Sequence, residues 1–230
     1  WAVVRDLRGV MYFGNNDNGV LEYDGSGWRQ IPVPNKAMVR ALAVDSLGTV
    51  YVGAVNEFGY LVPDQSGNMK YKSLMSLVDT SKYNFSQIWK IYVTPKNEVL
   101  FCSFNYLFKY THPDKLKTVP LPENGFFSTW VDSVLYISNY EKGLHKLVGD
   151  KVVPVTGGEY YIQKDILEML PYRSGQILVF SYEGLSLYDV TKGKASEMED
   201  NPQLKKTNQF LKDNILYNGV PIGDNQYAYG

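Results

Sequence analysis

The chain has 230 residues and a nearly balanced charge, with 23 Lys or Arg against 24 Asp or Glu and a formal net charge of −1. This balance argues against a nucleic-acid-binding surface, which needs an excess of basic residues to meet the phosphates. No stretch approaches the roughly 18 consecutive apolar residues of a membrane-spanning helix.

In chain order, the sequence repeats one pattern of short strands. Each copy has an apolar strand, a turn with Asp, Asn or Gly, a second strand that ends on a small residue, a loop rich in Asn, Glu and Tyr, and a third strand of the form Gly-Leu-x-x-Tyr. The copies lie at residues 2–24, 42–64, 90–110, 127–147 and 167–189, and a sixth begins at 225–230. The closing small residue recurs every 36 to 50 residues. This spacing is typical of a four-stranded propeller blade.

The repeats therefore predict an all-β protein with the β-propeller fold, built from five four-stranded blades and the start of a sixth. We expect one propeller region over residues 1–230, with blades at about 1–37, 38–84, 85–124, 125–161 and 162–207 and an incomplete blade at 208–230. Outer strands are predicted at 28–31, 70–73, 116–119 and 151–154, and a helix of one or two turns at 204–211. The alternative, a β-sandwich with coincidental hairpins, fits six registered copies poorly.

Strand direction assigns the loops to two faces. Because successive strands run antiparallel, the loops from second to third strand share a face with the segments that enter each new blade. These loops are long and chemically varied, which is typical of binding loops on a rigid scaffold. The ligand-binding candidates are Asn16, Asn56, Glu57, Trp89, Asn105, Tyr106, Asn139, Tyr140, Tyr182 and Glu183. The simpler alternative, that Asn and Gly only form turns, explains the Asn residues better than the rings.

Residues for catalysis or metal binding are scarce. His112 and His145 lack a metal-ligand spacing to a partner. The one cysteine, Cys102, excludes an internal disulfide and is predicted to be a small buried hydrophobe. We therefore predict no catalytic residue, no metal and no cofactor, and that this segment is not an enzyme. An acid and base pair among Glu57, Glu141 and Glu183 is the alternative to solvated loop carboxylates.

The first copy resembles the two-component regulator propeller repeat. That repeat has a strand, Asp-x-x-Gly, an aromatic residue in the next strand, a small closing residue, and then Gly-Leu-x-x-Tyr-Asp. Here the matching residues are Asp6, Gly9, Tyr12, Gly14 and the segment 19–24. The resemblance covers the whole chain in rhythm and is close in the first, second and fifth copies. The usual Trp of the second strand is Tyr or Leu here, and the fourth copy has Asp132-Ser133 in place of Asp-x-x-Gly.

The resemblance implies a function. The chain would be an extracytoplasmic, periplasmic ligand-sensing propeller of a membrane-anchored hybrid two-component receptor, with a histidine kinase or DNA-binding output that regulates transcription. The implied ligand is a carbohydrate, often an oligosaccharide. A non-catalytic scaffold or dimerisation propeller is the first alternative, and a propeller lyase or glycosidase is the second.

We also expect the chain to be a fragment of a larger sensor region. Its partners would then be the remaining propeller blades and a second receptor copy in a homodimer, with no nucleic acid bound by this segment and membrane contact only through other segments. An incomplete last blade would expose a strand edge, which favours association.

Overall fold

A computed structural model describes residues 2–122, 125–198, 202–214, 219–223 and 226–229. Over these residues the chain forms five four-stranded antiparallel sheets and one two-stranded sheet, and in every sheet neighbouring strands are consecutive in sequence. This topology confirms the predicted all-β fold and its blades. In the described part of the chain, no helix is long and apolar enough to cross a membrane.

The strands of the five blades follow the repeats. The first blade has β1 (Val3–Arg5), β2 (Met11–Gly14), β3 (Val20–Tyr23) and β4 (Trp28–Ile31), and the second has β5 (Val39–Val44), β6 (Val50–Ala54), β7 (Glu57–Pro63) and β8 (Met69–Ser73). The third has β9 (Lys90–Val93), β10 (Val99–Cys102), β11 (Tyr106–Thr111) and β12 (Lys115–Pro120). The fourth has β13 (Gly125–Val131), β14 (Val134–Asn139), β15 (Gly143–Val148) and β16 (Lys151–Pro154), and the fifth has β17 (Ile166–Arg173), β18 (Gln176–Ser181), β19 (Gly184–Asp189) and β20 (Lys194–Glu197).

A helix and a hairpin follow the fifth blade. The helix α1 (Pro202–Asp213) has 12 residues, and the hairpin consists of β21 (Gly219–Gly223) and β22 (Gln226–Tyr229). The helix is longer than the one or two turns predicted. Proline at its first position and Lys212 in its last turn both favour a helix over the full length. Asn225 and Gly230, which the sixth repeat includes, lie outside the described residues.

The chain divides into two compact units, Trp1–Leu121 and Pro122–Gly230. The first unit holds the first three blades. The second holds the fourth and fifth blades, the helix and the hairpin. In the first unit, apolar rings pack between the second and third blades. The ring centroid of Phe58 lies 4.7 Å from that of Phe101 and 4.9 Å from that of Phe108. In the second unit, Met169, Val179 and other buried side chains of the fifth blade join a core with the fourth.

The Asp-x-x-Gly turn of the first blade is held by its aspartate. Oδ1 of Asp6 accepts hydrogen bonds from the backbone N–H groups of Arg8 and Val10 at 2.9 and 3.0 Å. Oδ2 accepts the hydroxyl of Tyr12 at 3.2 Å, which ties the turn to the next strand. Burial by itself raises the pKa of Asp6, but the hydrogen bonds from Arg8 and Val10 outweigh it and hold that pKa below its ordinary value. The residues that define the repeat are therefore structural.

The second blade uses the same device. Oδ1 of Asp45 accepts the N–H groups of Leu47 and Thr49 at 2.9 and 2.8 Å, and Oδ2 accepts the hydroxyl of Tyr51 at 3.0 Å. Burial and the charge of Asp45 both raise the pKa of Tyr51. The aromatic residue in the second strand of the repeat thus donates a hydrogen bond to the turn. The Trp that is usual at this position can do the same, because its indole also has one N–H donor.

The strand register corrects one alignment of the repeats. The closing residue of the second strand pairs with Val20 in the first blade and with Phe58 in the second. The residue that precedes Val20 is Gly19, but the residue that precedes Phe58 is Glu57. Gly59, the glycine of the second copy that the repeat pattern aligns with Gly19, lies two residues further along the strand. The tight contacts of Gly59 with Lys72 and Tyr71 of the outer strand explain why glycine is needed there.

Candidate ligand-binding loops

The loops from second to third strand are fixed by the segments that enter the next blade. The backbone N–H of Asn56 donates to the carbonyl of Ser86 at 2.8 Å, and the N–H of Leu121 donates to the carbonyl of Asn105 at 2.9 Å. The side-chain amide of Asn56, oriented to meet two carbonyls, donates to Phe85 at 2.6 Å and Ser86 at 3.1 Å. These loops are therefore held in one conformation, and the amide of Asn56 is used within the fold.

Glu57 lies inside the second blade and not on an exposed loop. Glu57 is 5% exposed. Its Oε1 accepts three hydrogen bonds, from the N–H of Phe58 at 3.0 Å, the hydroxyl of Tyr71 at 3.0 Å and the hydroxyl of Ser73 at 2.7 Å. Burial and the nearby carboxylate raise the pKa of Tyr71. The carboxylate joins the third strand to the outer strand, which differs from the solvated carboxylate that the sequence predicts.

Asn139 is also structural. It is 1% exposed, and its Oδ1 accepts the backbone N–H groups of Glu141 and Lys142 at 3.0 and 2.7 Å. This arrangement caps the turn between the second and third strands of the fourth blade. Its neighbour Tyr140 is exposed, and the carbonyl of Tyr140 accepts the N–H of Gln163 at 2.7 Å. The exposed ring of Tyr140 therefore lies on a turn that is held by the side chain of Asn139 and by the backbone of Gln163.

An indole, a phenyl ring and a guanidinium meet in the first unit. Trp89 is half-buried just before β9, its ring centroid lies 5.3 Å from that of Phe104, and the guanidinium carbon of Arg40 lies 5.3 Å from the indole centroid. The Arg40 contact has the geometry of a cation–π interaction. We call these three residues the Trp89 cluster. It combines an aromatic surface with a rigid, multi-donor cation at the loop end of two inner strands.

Trp89 was predicted from the sequence as a candidate, whereas Arg40 and Phe104 were not. A signal for Arg40 was present, since it is the one charged residue in the otherwise apolar strand Val39–Val44. Phe104 lies in the same loop as the candidate Asn105 and gave no separate signal.

Tyr106 is half-buried and packs beside the core of the first unit. Its ring lies 5.4 Å from that of Tyr83 and 6.1 Å from that of Phe108. By register, Tyr106 takes the place of Gly19 of the first blade, as Glu57 does in the second. Asn16 and Asn105 are exposed on their loops.

In the second unit, a polar cleft lies between the loops of the fifth blade and α1. Its lining includes Tyr160, Lys164, Glu183, Asn208 and Lys212, and its volume is about 20 Å³, roughly the room that one water molecule needs. Nζ of Lys164 lies 3.4 Å from the ring centroid of Tyr160. Of the predicted candidates, Glu183 lines this cleft. Tyr182, next to it, is 41% exposed.

The helix packs on the glycine that begins β19. Gly184 has φ +110°, and a Cβ there would lie 2.3 Å from Oδ1 of Asn208 and 2.5 Å from Cε of Lys212. Oδ1 of Asn208 accepts the N–H of Leu185 at 2.7 Å. Nearby, burial raises the pKa of Asp165, and the charge of Glu183 raises it further. The glycine therefore permits the close approach that forms one wall of the cleft.

The remaining reactive residues have structural surroundings. His145 is buried, and its Nδ1 lies 3.2 Å from the carbonyl oxygen of Gly143. Nδ1 of His112 lies 3.3 Å from the hydroxyl of Tyr110. Cys102 is buried at the end of β10. Among the residues that the structure describes, no three His, Cys, Asp or Glu side chains converge as metal ligands.

Comparison with known proteins places the fold. No protein-family model matches the chain, and no curated protein sequence matches it. Among solved structures, a virginiamycin B lyase from Staphylococcus aureus is 15% identical over 87% of this chain and 70% of its own, with a TM-score of 0.62. The extracellular domain of a putative hybrid two component system from B. thetaiotaomicron is 18% identical, with 100% of this chain and 36% of that domain covered and a TM-score of 0.59.

A third similar structure is a gluconolactonase from Xanthomonas campestris, 10% identical over 82% of this chain and 71% of its own, with a TM-score of 0.51. The prediction that this segment is not an enzyme is contradicted, because propellers of similar structure include a lyase and a gluconolactonase. The propeller fold by itself thus leaves catalysis open. The scarcity of histidine and cysteine was too weak a reason to exclude it, since carboxylates and hydroxyls also support acid–base chemistry.

The chain spans 66% of a streptogramin B lyase, just under two thirds, and 36% of the two-component extracellular domain. At these low identities the likeness is one of fold. It confirms the β-propeller fold predicted from the repeats.

Proposed function

We propose that this chain is a ligand-sensing propeller region of an extracytoplasmic receptor of the hybrid two-component type, and that its ligand is a carbohydrate. The Trp89 cluster is the observation that carries the binding role. The sensor role is supported by the likeness to a two-component extracellular domain along 100% of this chain and by the resemblance of the repeats to two-component regulator propellers. The same likeness supports a periplasmic location.

The chemistry of the cluster suits a sugar. The apolar face of a pyranose stacks on an indole such as Trp89, while the hydroxyl groups at its edge accept hydrogen bonds from a guanidinium such as Arg40. The exposed amide of Asn105, in the loop next to Phe104, offers both a donor and an acceptor. Since the neighbouring segment holds this loop by a backbone hydrogen bond, little ordering entropy opposes binding.

Calorimetric titration of the chain with a panel of oligosaccharides tests the proposal. For a sugar that binds, Trp89→Ala is expected to weaken affinity by about ten- to a hundredfold, the usual effect of removing a central aromatic contact. Trp28→Ala is the matched control, because it removes the same ring from an outer strand of the first blade. Equal affinity of folded Trp89→Ala and the parent would contradict the proposed site.

The same samples distinguish sensing from turnover. The sugar is recovered after incubation and analysed by chromatography. Recovery of unchanged sugar supports a sensor. Conversion into cleaved or ring-opened products would favour a catalytic propeller, as in the lyase and gluconolactonase of similar fold.

A further inference from the structure

The second unit has a groove between its fourth and fifth blades that shares no lining residue with the cleft beside α1. The volume of this groove is about 150 Å³. A cavity of about this volume is large enough for a molecule the size of benzene. Two lysines and no acidic side chain are found among the described residues that line the groove, which include Lys146, Val155, Thr156, Val190, Thr191 and Lys192.

Close contacts between the two blades fix the walls of the groove. The hydroxyl of Tyr188 in β19 donates to the carbonyl of Thr156, just after β16, at 2.9 Å. Gly193, in the turn after β19, lies so close that a Cβ there would be 2.7 Å from both Cβ and Cγ2 of Thr156. The segment after β16 and the turn after β19 are therefore held together, and the groove between them is preformed.

Lys146 lies at a position that the first blade fills with an ion pair. By register, Lys146 is opposite Tyr136 of the second strand and Val153 of the outer strand. The corresponding residue of the first blade is Glu22, opposite Arg29, and Nη2 of Arg29 donates to both carboxylate oxygens of Glu22 at 2.8 and 2.9 Å. Val153 offers Lys146 no counter-charge, and the half-buried Lys146 lines the groove instead.

The other lysine of the groove is paired with an aspartate. Nζ of Lys192 lies 3.2 Å from Oδ2 of Asp189, and the backbone N–H of Lys192 donates to Oδ1 at 2.9 Å. The charges of this pair cancel, so the charge of Lys146 sets the preference of the groove. The hydroxyls of Thr156 and Thr191 add two hydrogen-bond donors to the lining.

We propose that this groove binds a small monocarboxylate with a short apolar chain. Lys146 meets the carboxylate with a charge-assisted hydrogen bond, which is about twice as strong as a neutral one. The hydroxyls of Thr156 and Thr191 donate to the same carboxylate, and Val155 and Val190 form an apolar wall for the chain. One ammonium group matches one carboxylate, whereas a doubly charged phosphate would keep a charge unmatched, which is costly in a partly buried site.

NMR titration of the isotope-labelled chain tests this site, with sodium butyrate as the probe. We expect butyrate to shift the amide signals of Thr156, Val190 and Thr191. Lys146→Met should weaken butyrate binding by about tenfold or more, the usual effect of losing a hydrogen bond to a charged group. Lys151→Met is the matched control, because Lys151 is exposed on the outer strand of the same blade.

A second variant keeps Lys146 and occupies its charge. Val153→Glu places a carboxylate opposite Lys146, as Glu22 lies opposite Arg29 in the first blade. We expect this variant to weaken butyrate binding as well. Thermal melting establishes that each variant is folded. Butyrate binding that is unchanged in folded Lys146→Met or in folded Val153→Glu overturns the proposal.

Two further probes separate charge from shape. Butyramide has the size of butyrate without its charge, and inorganic phosphate has charge without the apolar chain. We expect neither to shift these amide signals at concentrations where butyrate does. No shift with butyrate overturns the proposal, as does an equal shift with butyramide or with phosphate, or an equal loss in Lys151→Met. Sugar titration reports on the Trp89 cluster and not on this groove, so this proposal and the proposed function can fail separately.

Discussion

The second and fifth blades fill the same position of the repeat in opposite ways. The residue that begins the third strand is Glu57 in one and Gly184 in the other. Glu57 turns its carboxylate inward and binds Tyr71 and Ser73 of its own blade. Gly184 has no side chain, and a helix from outside the blade closes over it. A small residue at this position thus admits a neighbouring segment, whereas a large one replaces that segment with contacts of its own.

The largest effect is expected from Glu57→Ala. It leaves the hydroxyls of the half-buried Tyr71 and Ser73 without this acceptor, and an unsatisfied polar group inside the protein costs about 1–3 kcal/mol. We expect the free energy of unfolding to fall by about 3 kcal/mol in chemical denaturation. Glu141→Ala, at an exposed carboxylate of the fourth blade, should change it by less than about 0.5 kcal/mol. A similar small change for Glu57→Ala would show that the carboxylate is dispensable.

A smaller effect is expected from Gly184→Ala. Its Cβ would overlap Oδ1 of Asn208, and its φ of +110° is one that residues with a side chain rarely adopt. Gly25→Ala is the matched control, with φ +96° and open space around the new methyl group. We expect Gly25→Ala to cost about 1 kcal/mol from the backbone alone and Gly184→Ala to cost about 2 kcal/mol or more.

Hydrogen exchange locates that effect. The N–H of Leu185, which donates to Asn208, should exchange faster in Gly184→Ala because the helix no longer seats on the strand. Asn208→Ala should also make the N–H of Leu185 exchange faster, but with a smaller loss in the free energy of unfolding. Unchanged exchange at Leu185 in both variants would mean that the helix is not held by this contact.

The smallest effect concerns the charge of Glu183. Burial raises the pKa of Asp165, and Glu183 raises it further, so Glu183→Gln should lower that pKa while leaving it above its ordinary value. The folded protein holds the Asp165 proton more tightly than the unfolded chain does. This carboxyl therefore opposes folding above its folded pKa, and stability recovers as pH falls through that pKa. NMR titration of the side-chain carboxyl carbon measures it, with Glu141→Gln as the control.

Features set by neighbouring residues were predictable from the sequence. The blades follow from short apolar strands and turn residues at a fixed rhythm. The Asp-x-x-Gly turn also closes within a few residues, because one carboxylate accepts the N–H groups two and four positions ahead and the hydroxyl six positions ahead. Such contacts depend on little beyond local spacing.

Features set by separate segments were decided only in the tertiary structure. Glu57 is buried because its partners come from the outer strand, 14 and 16 residues further along the chain. The Trp89 cluster forms because the loop ends of two inner strands are neighbours, which brings Arg40 over the indole. The sequence alone determined that this chain builds propeller blades. Tertiary packing decided which loop residues are buried, because burial depends on what each loop meets.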